Sequence, residues 1–218
     1  MRLLILGASG GCGRWVTRLA HADGHTVTAL VRPDTAFAAP PGVTVHRGSV
    51  LNDSDLGHAV AGQDAVISCL GAQRVNAHNP WSPLRPPLHV ARESAARLVP
   101  AMQAAGVRKL AAISAAGVGD SLAVTNATMR WLIRSSSIGR MYADLEAMEA
   151  VYRLSALDWL AVRPVTLVDA KTPSTRARVV PRFRMVSTIS RADVATWLLR
   201  SAVDPQPIGD RTPMIGYR

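Results

Sequence analysis

The sequence predicts an α/β domain: a doubly wound, mostly parallel sheet with helices on both faces. Three observations carry this. Short apolar runs alternate with helical spacings along the 218 residues. Four glycines, Gly7, Gly10, Gly11 and Gly13, crowd the first strand-to-helix junction. Hydrophobic residues make up 48% of the chain and are spread over its whole length, enough for one full-sized core and too many for extended disorder.

Leu3-Leu4-Ile5-Leu6 is an unbroken apolar run, as expected of a strand covered on both faces. From Gly11 to about Ala22 the apolar residues Trp15, Val16, Leu19 and Ala20 recur at helical spacing, and Asp23-Gly24 ends the helix. Residues 25–32 (HTVTALVR) read as a second strand stopped by Pro33, and 42–48 as a third. A short helix over 53–61 follows, with Asn52 or Asp53 as its N-cap, because either side chain accepts from free first-turn amides. Residues 64–71 (DAVISCLG) are a fourth strand, and a helix is expected at about 88–105. Strands over 108–114 and 157–164 come next, with helices near 123–135 and around Tyr142 between them. A helix at 190–202 and a short strand at 212–216 close the chain.

Two stretches break this rhythm. Residues 76–87 (NAHNPWSPLRPP) carry four prolines and are expected to hold no regular element. A loop of this kind in a compact domain is often a binding loop or lid. Residues 165–189 read as loop with short strands. Together with 203–218 they are expected to form a small C-terminal substrate lobe on a single domain covering 1–218.

The formal charge is +10, and of 25 basic residues only Lys109 and Lys171 are lysine. The arginines are scattered, without a basic run of five or more, so neither nucleic acid nor a membrane is expected as partner. Cys12 and Cys69 lie far apart without metal-ligand spacing, which predicts no metal site and fits a reduced, cytoplasmic protein. The first apolar run is too short for a signal peptide, and no stretch reaches the ~18 apolar residues of a membrane span. No apolar interface helix stands out, and a monomer is expected.

The glycines sit where a strand hands over to a helix. Glycine lacks Cβ, so it takes positive φ and lets a ligand touch the backbone. The helix start adds free N–H groups and the positive end of a dipole, a seat for a pyrophosphate. Gly7, Ser9, Gly10, Gly11, Cys12 and Gly13 are therefore the expected dinucleotide cradle. The end of the second strand should meet the adenosine ribose. Arg32 is the first charged residue there, with Asp34 beyond Pro33, which argues for NADP(H) over NAD(H). Arg14 is a second candidate for that phosphate. After the third strand, Ser49 or Asn52 is placed to bond the adenine edge, with Val50 and Leu51 covering its face. Leu70 and Gly71 should run along the ribose and nicotinamide, Pro164 should shape the nicotinamide pocket, and Cys69 should pack as a small hydrophobe.

The blocks GASGGCG, HTVTALVR, AGQDAVISCLG, AMQAAGVRKLAAISAAGVGDS, LDWLAVRP and ISRADVA resemble the atypical short-chain dehydrogenase/reductases. The likeness is closest to the NAD(P)H-binding branch that holds biliverdin-IXβ/flavin reductases and NmrA-like proteins. It covers nearly the whole chain. It implies a Rossmann core and either NADP-linked hydride transfer or, on the NmrA-like side, a non-catalytic redox sensor. Short-chain reductases place a serine after the fifth strand and Tyr-x-x-x-Lys on the next long helix. Ser114 and Tyr142 match as candidate catalytic residues, but Glu146 stands where the lysine belongs and disfavours a tyrosinate. Ser114 is also a candidate for orienting the nicotinamide amide. The broken tetrad points to a planar conjugated small-molecule acceptor, such as a flavin or quinone, reduced by proximity with a proton from solvent. Epimerisation or isomerisation with retained cofactor is a further alternative. His78, His89, Trp81 and Trp131 are candidate substrate neighbours, and Asp193 is expected to cap or pair near the last helix.

Overall fold

Apolar runs and helical stripes become, in chain order, β1 (Arg2–Leu6), α1 (Gly11–Ala22), β2 (Thr26–Val31), β3 (Thr44–Arg47), α2 (Asp53–Val60) and β4 (Ala65–Ser68). Next come β5 (Gln73–Arg74), β6 (Leu84–Arg85), α3 (Val90–Ala104), β7 (Lys109–Ile113), α4 (Ala127–Ser135) and α5 (Ser137–Arg153). The chain ends with β8 (Asp158–Pro164), β9 (Thr166–Val168), β10 (Arg178–Val179), β11 (Thr188–Ser190), α6 (Arg191–Val203) and β12 (Met214–Gly216). The computed structural model describes residues 1–174 and 176–217; Thr175 and Arg218, within the two expected lobe segments, lie outside the described residues.

The main sheet has the order β10-β12-β8-β7-β4-β1-β2-β3. Its strands are parallel except β10, which runs antiparallel to β12. The chain moves outward from β1 to β3, then returns to place β4 on the other side of β1. That reversal opens a crevice above the strand ends Leu6 and Ser68, which are register partners.

Strand alternation sorts the core into two layers. Leu3, Ile5, Val27 and Ala29 pack with Val16 and Ala20 of α1 and Val194 and Leu198 of α6. Leu4, Leu6, Leu30 and Val66 pack with Leu56 of α2, Leu98 and Met102 of α3 and Met148 and Tyr152 of α5. Each fully buried Leu, Ile or Val contributes ~1.5–3 kcal/mol of transfer free energy, which makes these layers the main stabilising term. Among the described residues no helix is long and apolar enough to cross a membrane.

Local capping follows ordinary chemistry. The Asn52 side chain accepts from the Asp55 N–H and starts α2, as its position predicts. The first residue of α3 follows His89, which gives no side-chain cap. Asp144 of α5 does that work from across the interface, accepting from the Ala91 and Arg92 N–H groups at 3.0 Å each.

One expectation is corrected. Residues 76–87 do contain a regular element: Leu84–Arg85 pairs antiparallel with Gln73–Arg74. The prolines flank these two residues, so both keep their N–H groups. The C-terminal segments stay close to the core. β10 and β12 extend the main sheet, and β9 pairs in parallel with β11 beside it.

Candidate functional site

Gly7 ends β1 in the left-handed region at φ +75°, and a Cβ there would lie 2.7 Å from the Cys69 carbonyl oxygen. The Gly10 N–H donates to the Gly7 carbonyl at 3.0 Å, closing the turn. A Cβ on Gly13 would lie 2.1 Å from that same oxygen, so α1 seats directly on the loop. The α1 start has no side-chain cap and no acidic residue in its first turn. Its free N–H groups and dipole are left for an anion. The Arg14 Nε–H donates to the Ser9 carbonyl at 2.8 Å and braces the loop from its middle.

A cleft of about 600 Å³ opens over this turn. Its floor is Gly7, Ser9 and Gly10, and Arg32 stands at its β2 end beside Leu30 and Val31. Ser49, Val50 and Leu51 form one side, Leu70, Gly71 and Cys69 the other. Gln73, Arg85, Pro86 and Pro87 cover it from the β5–β6 ribbon. Arg32 is exposed, and among the described residues no carboxylate forms an ion pair with it.

The loop after β3 is braced internally. The Ser49 N–H donates to Asp55 Oδ2 at 2.8 Å, and Ser49 Oγ accepts from the Leu51 N–H at 3.1 Å. Ser49 Oγ thus acts as an acceptor within the loop, while the Asn52 oxygen is committed to α2. Cys12 is buried, and burial pushes its thiol up to about 11; burial also raises Cys69 well above the ordinary thiol range. Neither is a nucleophile near neutrality.

Ser114, Tyr142 and Pro164 do not line this cleft. Ser114 follows β7 and is buried, with its hydroxyl donating to Glu149 Oε1 at 2.6 Å. Glu149 is held in turn by Arg163 of β8, Nε to Oε1 at 3.0 Å and Nη2 to Oε2 at 2.6 Å. Arg163 Nη1 reaches Asp120 at 2.6 Å, and that bond holds the Asp120 carboxyl below the usual carboxylate range. Burial raises the Tyr142 phenol to about 12, against the weaker opposing effect of the Arg74 charge.

The other expected substrate neighbours lie elsewhere. His78 and His89 are exposed. Trp81 and Trp131 meet edge to face, ring centroids 6.3 Å apart, and the Trp81 indole N–H donates to the Ser135 carbonyl. Ser190 caps α6 by accepting from the Asp193 N–H, and the Asp193 carboxylate accepts from the Ser190 hydroxyl, the Tyr217 hydroxyl and the Ser174 N–H.

Sequence reasoning missed Glu149, Asp144 and the Ser114–Glu149–Arg163 chain. One signal was present: Arg163 stands in the otherwise apolar run WLAV-R-P, and a buried guanidinium demands a carboxylate.

A backbone cradle that a single Cβ would fill, set at the switch point of a doubly wound sheet, fits a dinucleotide and defines a Rossmann-type nucleotide-binding protein. The family model described as NAD(P)H-binding matches residues 7–205, and the chain belongs to that family. Among curated relatives, the photosystem II assembly factor Ycf39 of Synechocystis is 25% identical over 229 residues, covering 100% of this chain and 63% of that protein. A probable pinoresinol-lariciresinol reductase 3 of Arabidopsis thaliana is 35% identical over 79 residues, 34% of this chain and 26% of that protein. The chain thus spans less than two thirds of either relative's length. Among solved structures, ChuY, an anaerobillin reductase from Escherichia coli O157:H7, superposes with a TM-score of 0.78 at 21% identity, covering 99% of this chain and 96% of that one. A short-chain dehydrogenase/reductase from Veillonella parvula in complex with NADP gives 0.76 at 18% identity, covering 99% and 94%. These two likenesses concern the fold.

Proposed function

We propose that the chain is an NADPH-dependent reductase that delivers hydride to a planar, conjugated small molecule such as a flavin or quinone. The glycine turn and α1 start hold the diphosphate, and Arg32 meets the 2′-phosphate of the adenosine ribose. Ser49, Val50, Leu70 and Gly71 hold the remaining adenosine and ribose surfaces. NADPH, when bound, supplies the hydride. The reductase names among the relatives, and the NADP complex of a fold neighbour, support this reading.

The observation that carries the substrate class is the Ser114–Glu149 hydrogen bond. Glu149 is paired with Arg163 and accepts a hydrogen bond from the Ser114 hydroxyl, so Ser114 offers only lone pairs to any other partner. It can orient a carboxamide N–H but cannot protonate an alkoxide. Tyr142 has no lysine beside it, and burial lifts its phenol to about 12, so it packs as a neutral wall. An acceptor that spreads the incoming charge over a conjugated system needs no such acid, and positioning supplies the rate.

The test is NADPH absorbance followed with a panel of flavins and quinones. The proposal expects turnover with at least one, and retention of kcat within about tenfold in Ser114→Ala and Tyr142→Phe, because a general acid contributes about 10²–10⁴-fold. Binding without turnover of any acceptor identifies a redox-sensing regulator instead. Product formed without net loss of NADPH identifies an isomerase or epimerase.

A further inference from the structure

The motif ISRADVA has one residue with no role so far. Ser190 caps α6 and Asp193 accepts from its hydroxyl, but Arg191, the first residue of that helix, turns toward the glycine loop. A Cβ built on Gly11 would lie 2.7 Å from Arg191 Cδ and 2.8 Å from its Nε. Glycine at position 11 is therefore what lets the arginine stem lie against the opening residue of α1. The guanidinium carbon is only 3.9 Å from that same point, beside the amides that form the diphosphate seat.

The guanidinium has an exposed partner. Its Nη1 is 2.8 Å from Asp169 Oδ1, with the arginine side chain 30% and the aspartate 88% exposed. Asp169 directly follows β9, and Arg191 directly follows β11; their neighbours Val168 and Ser190 are register partners. The pair thus ties the end of the small β9–β11 sheet together at the rim of the cradle. An ion pair with so exposed a carboxylate is weak. An arginine–phosphate contact is charge-assisted and often bidentate, and it is the stronger of the two.

We infer that Arg191 is a further cofactor-anchoring residue that leaves Asp169 for the diphosphate when the dinucleotide binds, coupling occupancy of the cleft to the β9–β11 edge. This rests on the reading that the diphosphate sits on the α1 start. Asp169 is then a built-in competitor for Arg191: it keeps the guanidinium in place when the cleft is open and is released when it fills.

Titration calorimetry with NADPH on the whole chain tests this with Arg191→Gln, Asp169→Asn and the double variant. Arg191→Gln weakens binding about tenfold, the scale of one lost charge-assisted contact. Asp169→Asn tightens it about threefold, since a weak competitor is removed, and changes nothing further in the Arg191→Gln background. NADPH also speeds tryptic cleavage of the wild type at Lys171, two residues beyond Asp169, and Asp169→Asn is cleaved at the faster rate without NADPH. Unchanged affinity in Asp169→Asn, or in a folded Arg191→Gln, overturns the exchange. Failure of the wild type to bind NADPH removes the reading beneath it, a different outcome.

Discussion

Arg163 and Glu149 meet as a bidentate pair in the interior, Nε to Oε1 at 3.0 Å and Nη2 to Oε2 at 2.6 Å, with side chains 3% and 1% exposed. The pair joins β8 to α5. The same Glu149 Oε1 that accepts from the guanidinium also accepts from the Ser114 hydroxyl.

Breaking this pair from one side leaves a buried charge. Glu149→Ala is expected to lose about 3–5 kcal/mol of stability in urea denaturation. Replacing both partners, as Glu149→Leu with Arg163→Met, is expected to cost clearly less than the sum of the single changes. Strict additivity would mean that the two charges do not depend on each other.

Gly13→Ala places a methyl group where 2.1 Å separates it from the Gly7 oxygen. Either α1 lifts or the loop distorts. NADPH affinity is expected to fall at least 100-fold, with a stability loss of about 1–3 kcal/mol from overpacking. Gly209→Ala, where nothing lies within 4 Å, serves as the control and leaves both quantities unchanged.

Asp193 predicts an acid limb. Burial alone raises its carboxyl, but hydrogen bonds from Tyr217, Ser190 and Ser174 outweigh burial and leave it below the ordinary value. A depressed folded value stabilises the protein above the unfolded pKa of about 3.9 and is lost as pH falls through the folded one. The stability of wild type is therefore expected to drop below about pH 4 more steeply than that of Asp193→Asn, which is already less stable at pH 7. Parallel acid limbs in the two proteins would contradict this assignment.

Much of the fold was legible because its signals are local. The apolar run of β1, the glycine spacing before α1 and the Asn52 cap each lie within a few residues of what they determine. The β5–β6 ribbon was obscured because four prolines dominate a stretch in which only Leu84 and Arg85 pair. Asp144 caps a helix 53 residues away, and Ser114 finds Glu149 35 residues on. Those partners are chosen by how α5 packs on α3 and the sheet, which no local pattern encodes. Arg163 announced that a carboxylate was needed without saying which one. In the same way, Arg191 reads as an ordinary first-turn residue until α6 is laid beside α1.

In the proposed reading, Arg32 carries the preference between the two nicotinamide cofactors. Arg32→Ala is expected to weaken NADPH about 10- to 100-fold, the loss of one charge-assisted phosphate contact, and to leave NADH within about threefold. Equal losses for both cofactors would assign Arg32 to the fold of the β2 end rather than to the ribose phosphate.

Calorimetric titration of the wild-type chain with NADPH and with NADH tests the central claim most directly. The account predicts one site per chain that NADPH fills at least about tenfold more tightly than NADH, the scale of that same phosphate contact. Absence of heat from both cofactors, with the protein folded by circular dichroism, would contradict it.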